Sequence, residues 1–279
     1  MIVDLSQVLK PARQGRYAVG AFNIYNLETI DAVLAAADEL RSPVILALGE
    51  RYLKNFPIRA ISAITTSLAS DSRVPVALHL DHAQKIESIE QAIAAGFTSV
   101  MIDGSKLPLE ENIAITKKAV ALARPRKVTV EAELGRIVGT GVAASDLFTD
   151  PDEARQFMLE TGVDALAVAV GTVHGLYKGA PTLDLGRLTR IAEKVSVPLV
   201  LHGGSGLPDH LIKSAIQVGV AKLNINTEVS IQGVNAVRDF LSEKGNENTR
   251  LEELMVEARG SMVQVVRKYI EFFGSVGKI

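Results

Sequence analysis

The sequence predicts an α/β protein folded as a (β/α)8 TIM barrel, on three observations. Short runs rich in β-branched residues recur eight times, and each is followed by a segment with helical periodicity. The runs are continuously apolar rather than alternating, as suits parallel strands covered on both faces. The chain's 279 residues are close to the length that eight such units need. A doubly wound open sheet is the alternative reading of the same pattern.

The eight runs are YAVGAF (17–22), PVILAL (43–48), PVALHLD (75–81), SVMIDG (99–104), KVTVEAEL (127–134), ALAVAVG (165–171), PLVLHGG (198–204) and AKLNINT (221–227). After the first, Ile30, Val33, Leu34, Ala37 and Leu40 follow one another at helical spacing and define one inward stripe. In DPDEARQFMLETG, Asp150 is placed to cap a helix, Pro151 suits its first turn and Gly162 its end. No Pro/Gly/Ser-rich linker or low-complexity tract divides the chain, so residues 1–279 are expected to form one barrel domain.

Composition removes several classes of function. The 30 basic and 32 acidic residues are well mixed and leave a formal charge of -2, which offers no footprint for nucleic acid or an anionic membrane. Without cysteine there is no disulfide, thiolate metal ligand or cysteine nucleophile. The opening MIVDLSQVLKPARQG lacks a charged-then-apolar signal pattern, and no apolar run approaches a membrane span. A soluble, cytoplasmic protein is expected.

In a barrel, chemistry belongs where strands end and loops begin. Three of the five histidines are there: His82 closes the third strand, His174 follows the sixth and His202 ends the seventh. Three imidazoles with an open fourth position describe a catalytic zinc site, with the metal as Lewis acid. Taken singly, each reads equally well as a satisfied polar residue. His79, deeper in its strand, and His210, on a following helix, read as structural. Asp81 is placed to exchange a proton with a substrate hydroxyl, or else to orient a ligand or cap a helix. Glu131 and Glu133 lie two apart and so share a face. Burying two carboxylates without a role is costly. Glu133 therefore suits a metal or supporting role, and Glu131 an interior hydrogen bond.

The stretch LVLHGGSGLP then has a reading. Gly203, Gly204 and Gly206 let backbone N–H groups approach an anion, and Ser205 adds a hydroxyl donor. The eighth strand supplies Asn224, Asn226 and Thr227 nearby, at the loops where this fold often binds phosphate. The GTG at 139–141 has no such context.

These residues resemble the class II, zinc-dependent ketose-bisphosphate aldolases, including the fructose- and tagatose-bisphosphate enzymes. The likeness runs from YAVGAFN to EARGSM, with HLDH, SVMIDGS, VEAELG, GTVHGLY, LHGGSG and LNINTE in family order. It implies that His82, His174 and His202 bind Zn2+, that Glu133 supports the metal and that Asp81 transfers the proton. It implies that Gly175, Gly203, Ser205, Asn226 and Thr227 hold the first phosphate, that Asn224 bonds the reacting carbon skeleton and that Asn23 contacts substrate hydroxyls. Arg259 falls where many members reach the distal phosphate in a neighbouring subunit, so a homodimer or homotetramer is implied. A monovalent cation, Na+ or K+, near the phosphate loops is implied as well. The implied reaction is reversible aldol cleavage of a phosphorylated ketose to dihydroxyacetone phosphate and an aldehyde. The resemblance implies that zinc would polarise the ketone and stabilise the enediolate, while Asp81 would remove the C4 hydroxyl proton.

Two departures stand out. Members usually follow ELG with a glycine-rich acidic loop of the kind GGxEDD, whose glutamate is assigned proton transfer at the enediolate carbon. Here ELGRIVGTGVAASDLFTDP is several residues shorter, and its carboxylates are only Asp146 and Asp150. Gly49 stands where fructose-bisphosphate aldolases commonly carry a substrate-contacting serine. Two other readings stay open. A lysine Schiff-base aldolase needs a lysine at a strand's C-terminal end; Lys127 and Lys222 read as lying at the opposite ends, which leaves Lys106. A sugar-phosphate-binding protein with little turnover is the reading that the missing glutamate favours.

Overall fold

Each of the eight expected strands is present, and together they close into a parallel barrel in chain order. A computed structural model describes residues 1–137, 147–175, 177–245 and 248–279. The strands are β1 (Val19–Asn23), β2 (Val44–Gly49), β3 (Val76–Ala83), β4 (Ser99–Ile102), β5 (Thr129–Leu134), β6 (Ala165–Val168), β7 (Leu199–Leu201) and β8 (Val220–Ile225). The helices are α1 (Leu5–Gly15), α2 (Leu27–Leu40), α3 (Ile58–Asp71), α4 (Ile86–Ala94), α5 (Leu109–Ala123), α6 (Pro151–Thr161), α7 (Leu185–Lys194), α8 (Asp209–Val218), α9 (Thr227–Lys244) and α10 (Leu251–Phe272). None of the helices among the described residues is long and apolar enough to cross a membrane.

Local chemistry sets the helix limits. Asp150 accepts from the N–H groups of Asp152 and Glu153, Pro151 opens α6, and Gly162 closes it in the left-handed conformation. The α2 stripe is buried at Ile30, Val33, Leu34 and Ala37, while Leu40 is half-buried at the helix end.

The sequence overextends four strands at their C-terminal ends: β4 stops at Ile102, before Asp103 and Gly104, and three others also fall short. β6, β7 and β8 stop before Gly171, before His202 to Gly204 and before Asn226 to Thr227. Gly171 and Gly203 adopt φ of +120° and +70°, outside the strand region, so the ladder cannot continue through them. The released residues become the loops that build the mouth of the barrel.

Apolar side chains fill both sides of the wall. Inside, Val19, Ala21, Ile45, Ala77, Ala165, Ala167 and Val200 pack on Leu5, Val8, Leu9 and Ala12 of α1, which plugs the N-terminal end. Above that floor the interior turns polar: His79, Ser99, Glu131 and Lys222 are all fully buried. Lys222 is thus not at the far end of its strand, as the sequence suggested, but inside the barrel.

Candidate active site

The buried polar group holds the site from below. Lys222 Nζ donates to Glu131 Oε2 at 2.6 Å and approaches His79 Nε2 at 3.4 Å. His79 Nδ1 lies 2.8 Å from Ser99 Oγ. Burial and the Lys222 ammonium push the His79 pKa down to about 3, so the imidazole is neutral and accepts from the lysine. Glu131, which burial alone would push up, is brought to about 2 by Lys222 and by its bond to His202. His202 Nε2 donates to Glu131 Oε1 at 3.0 Å. That bond fixes the imidazole tautomer and leaves Nδ1 as a lone pair.

His82, His174 and His202 converge at the mouth. Ring centroids are 4.5 Å apart for His82 and His202, 5.0 Å for His82 and His174, and 6.1 Å for His174 and His202. His82 has φ of +50° at an irregularity in the β3–β4 pairing between Leu80 and Ala83. A non-glycine residue in this region is strained, and such bulges re-aim side chains at functional sites. No feature of the sequence marks this strain. His82 Nδ1 lies 3.0 Å from Asp103 Oδ2 and 3.7 Å from Glu133 Oε2. Asp103 is a site residue that the sequence reading missed, although it sits inside the SVMIDGS motif and directly follows β4.

Asp81 is buried and clamped. Asn23 Nδ2 donates to its Oδ2 and Asn224 Nδ2 to its Oδ1, each at 3.1 Å. Burial alone would raise its pKa. The charges of His82 and Lys222 outweigh that and hold the carboxyl well below the usual range. Asn23 and Asn224, expected as substrate contacts, therefore also orient Asp81. Asn224 Oδ1 is buried without a hydrogen-bond partner among the described residues and can accept.

The donor set fits a divalent cation. His202 Nδ1 and Glu133 Oε2 are buried, with no hydrogen-bond partner among the described residues, and such orphans are costly unless something binds them. Ligand atoms of Asp81, His82 and His202 lie within 4.8 Å of one another, as do those of His82, Asp103 and Glu133. His174 belongs to neither group, although its ring faces both other imidazoles. Against the lowering effect of burial, Asp81, Asp103 and Glu133 raise the His82 pKa to about 10. Burial first, and then the charge of Asp103, raises Glu133 to about 8. Three carboxylates crowded around imidazoles are short of positive charge.

Beside this cluster lies the glycine-lined cradle. Gly175, Gly203 and Gly206 have φ of +91°, +70° and +80°. A Cβ on Gly203 would stand 2.3 Å from Val173 O, so the two loops touch through bare backbone. Asn226 N–H donates to Ser205 Oγ, and Thr227 opens α9, whose N-terminus favours an anion. Underneath, Tyr269 of α10 accepts from Gly206 N–H at 3.2 Å and donates to Glu228.

The three imidazoles, Asp81, Asp103, Glu133, Asn224 and the cradle through Gly203, Ser205 and Asn226 open on one cavity of about 610 Å³, which Asn23, Gly175, Thr227 and Lys106 also line. Arg259 is not on it: in the single chain it pairs with Asp31 of α2. The segment that stands in place of the acidic loop, with Asp146 and the GTG, lies largely outside the described residues.

A closed parallel barrel whose mouth gathers imidazoles, carboxylates and an anion cradle is the build of an aldolase. The family model described as class II fructose-bisphosphate aldolase matches residues 3–278, and the chain belongs to that family. It is 47% identical over 248 residues to the 6-phospho-5-dehydro-2-deoxy-D-gluconate aldolase of Halalkalibacterium halodurans, covering 86% of this chain and 85% of that one. It is 43% identical over 306 aligned residues to the fructose-bisphosphate aldolase of Thermus caldophilus, covering all of both. The crystal structure of the YdjI aldolase from Escherichia coli K12 matches with a TM-score of 0.90 at 38% identity, covering 100% of this chain and 99% of that one.

Proposed function

We propose that the chain is a zinc-dependent aldolase that reversibly cleaves a phosphorylated ketose, of the fructose- or tagatose-1,6-bisphosphate type, to dihydroxyacetone phosphate and an aldehyde such as glyceraldehyde 3-phosphate. The observation that carries this reading is Asp81, ionised and clamped by two amides, facing the same cavity as the orphaned His202 Nδ1 and the anion cradle. His82, His174 and His202 would hold the ion, with Glu133 in support. A divalent ion there supplies Lewis-acid polarisation of the substrate's ketone.

The cradle formed by Gly175, Gly203, Ser205, Asn226 and Thr227 binds the phosphate next to the ketone. Asn224 Oδ1 accepts from the carbon skeleton's hydroxyl, and Asn23 keeps Asp81 aimed at the hydroxyl β to the ketone. Asp81 takes that proton; the alkoxide becomes the aldehyde carbonyl as the C–C bond breaks, and the bonding pair passes to the ketone-side carbon. A Na+ or K+ ion beside the cradle, and Arg259 acting across a subunit interface, complete the reading.

The two named relatives act on different compounds, and both share the reacting end. Fructose 1,6-bisphosphate and 6-phospho-5-dehydro-2-deoxy-D-gluconate each place a phosphorylated carbon beside the ketone and a hydroxyl β to it. They differ at the far end, phosphoryl in one and carboxylate in the other.

Among the described residues Lys106 is the one lysine on the cavity wall, and Lys222 is buried against Glu131, so the Schiff-base route rests on Lys106. A coupled assay for dihydroxyacetone phosphate release, with added zinc and a panel of ketose phosphates, tests the reading. Release that disappears on chelation and returns with zinc is expected. No release from any member of the panel would leave a binding protein.

A further inference from the structure

The turn after β2 puts two charged side chains on the cavity wall that the chemistry above does not use. Gly49 pairs in register with Asp81, so Glu50 and Arg51 follow directly beside the proton acceptor. Glu50 Oε2 accepts from Gln84 N–H at 3.1 Å, while its Oε1 is buried with no hydrogen-bond partner among the described residues. The Arg51 guanidinium packs over the Tyr52 ring, 4.7 Å from its centroid, and donates to the Tyr52 hydroxyl. That hydroxyl also accepts from Asn226 Nδ2, and the ring leans on Tyr25 at 5.3 Å. Among the described residues Arg51 has no carboxylate partner, and one hydrogen bond leaves most of its five donors unspent. A cation stacked on an aromatic ring and tied at one nitrogen is oriented in advance for a planar or tetrahedral anion.

A substrate anchored by its phosphate at the loops after β6, β7 and β8, with its β-hydroxyl at Asp81, must run its remaining carbons over the rim between β1 and β3. Arg51 and Glu50 stand there. We propose that Arg51 is a specificity-determining residue that binds an anionic group, phosphoryl or carboxylate, on the far end of the ketose, while Glu50 accepts from the hydroxyl next to it. The inference rests on the ketose-phosphate reading of the cavity and adds, from this chain's own rim, a contact to the end of the substrate that Arg259 would reach only across a subunit interface. A charge-assisted, bidentate contact contributes roughly ten- to a hundredfold in binding.

Inert ligands separate this from turnover. Calorimetry on the zinc-loaded protein compares a hexitol 1-phosphate, a hexitol 1,6-bisphosphate and a hexonate 6-phosphate, none of which has a ketone to cleave. At least a tenfold preference for one of the doubly charged ligands is expected, and Arg51→Gln is expected to abolish it. The ligand whose advantage is lost identifies the terminal group as phosphoryl or carboxylate. A parent protein without that preference overturns the proposal, as does an Arg51→Gln protein that keeps it. An equal loss for all three ligands also overturns it, because Arg51 then serves the shared phosphate. Failure of the dihydroxyacetone phosphate assay bears on the reaction and leaves these binding ratios readable.

Discussion

Replacing Lys222 with methionine probes the polar centre of the barrel. The substitution keeps most of the unbranched stem and removes the ammonium. Glu131 is then left fully buried, with His202 Nε2–H as its remaining donor at 3.0 Å. Breaking a buried pair from one side typically costs about 3–5 kcal/mol, because a charge is stranded. For a chain of 279 residues, an unfolding entropy of about 2.1 cal/mol/K per residue turns that into a drop of roughly 5–9 °C in Tm. The double variant Lys222→Met/Glu131→Gln removes the stranded charge and should recover most of the loss, since neutral replacement of a buried pair is often close to neutral in energy. Thermal and urea unfolding of the zinc-loaded proteins provides the measurement. A single variant within about 1 kcal/mol of the parent, or a double variant less stable than the single, would refute the reasoning, because ordinary substitutions already scatter on that scale.

Asp81→Ala should leave zinc content unchanged and lower turnover by at least about a hundredfold, the usual scale of general acid–base contributions; near-normal turnover would assign the proton to another group. Asp103→Ala releases His82 Nδ1 and should weaken zinc affinity roughly ten- to a hundredfold, read by competition with a chelator, since groups that orient a ligating imidazole carry effects of this size. Gly203→Ala forces a Cβ against Val173 O at positive φ, so a stability loss of about 1–3 kcal/mol is expected from the strain alone, together with a raised KM for every phosphorylated substrate. An unchanged KM in that variant would place the phosphate elsewhere.

The barrel itself was legible because parallel strands covered on both faces must be continuously apolar, and eight of them recur. His82, His174 and His202 could be found because each follows such a run. The strain at His82 could not, since it comes from a register shift between β3 and β4 that no local pattern encodes. Lys222 was misplaced for a related reason. A lysine near a strand's start reads as lying at the end away from the mouth until its partner, Glu131, ninety-one residues away in sequence, is known to face it. Asp103 was hidden by the same kind of distance, its meaning coming from His82 on the neighbouring strand. Helices α1 and α10 fell outside the eightfold pattern, and both act on the barrel from outside it.

Tyr269 gives the last helix a duty that its position in the chain does not advertise. One phenol oxygen holds the glycine turn below the anion site and ties it to the start of α9. A shortened form ending ahead of Tyr269 would keep all eight staves and every imidazole, yet its floor for phosphate would have lost its brace. Ligand grip and the integrity of the C-terminal arm are therefore a single inheritance.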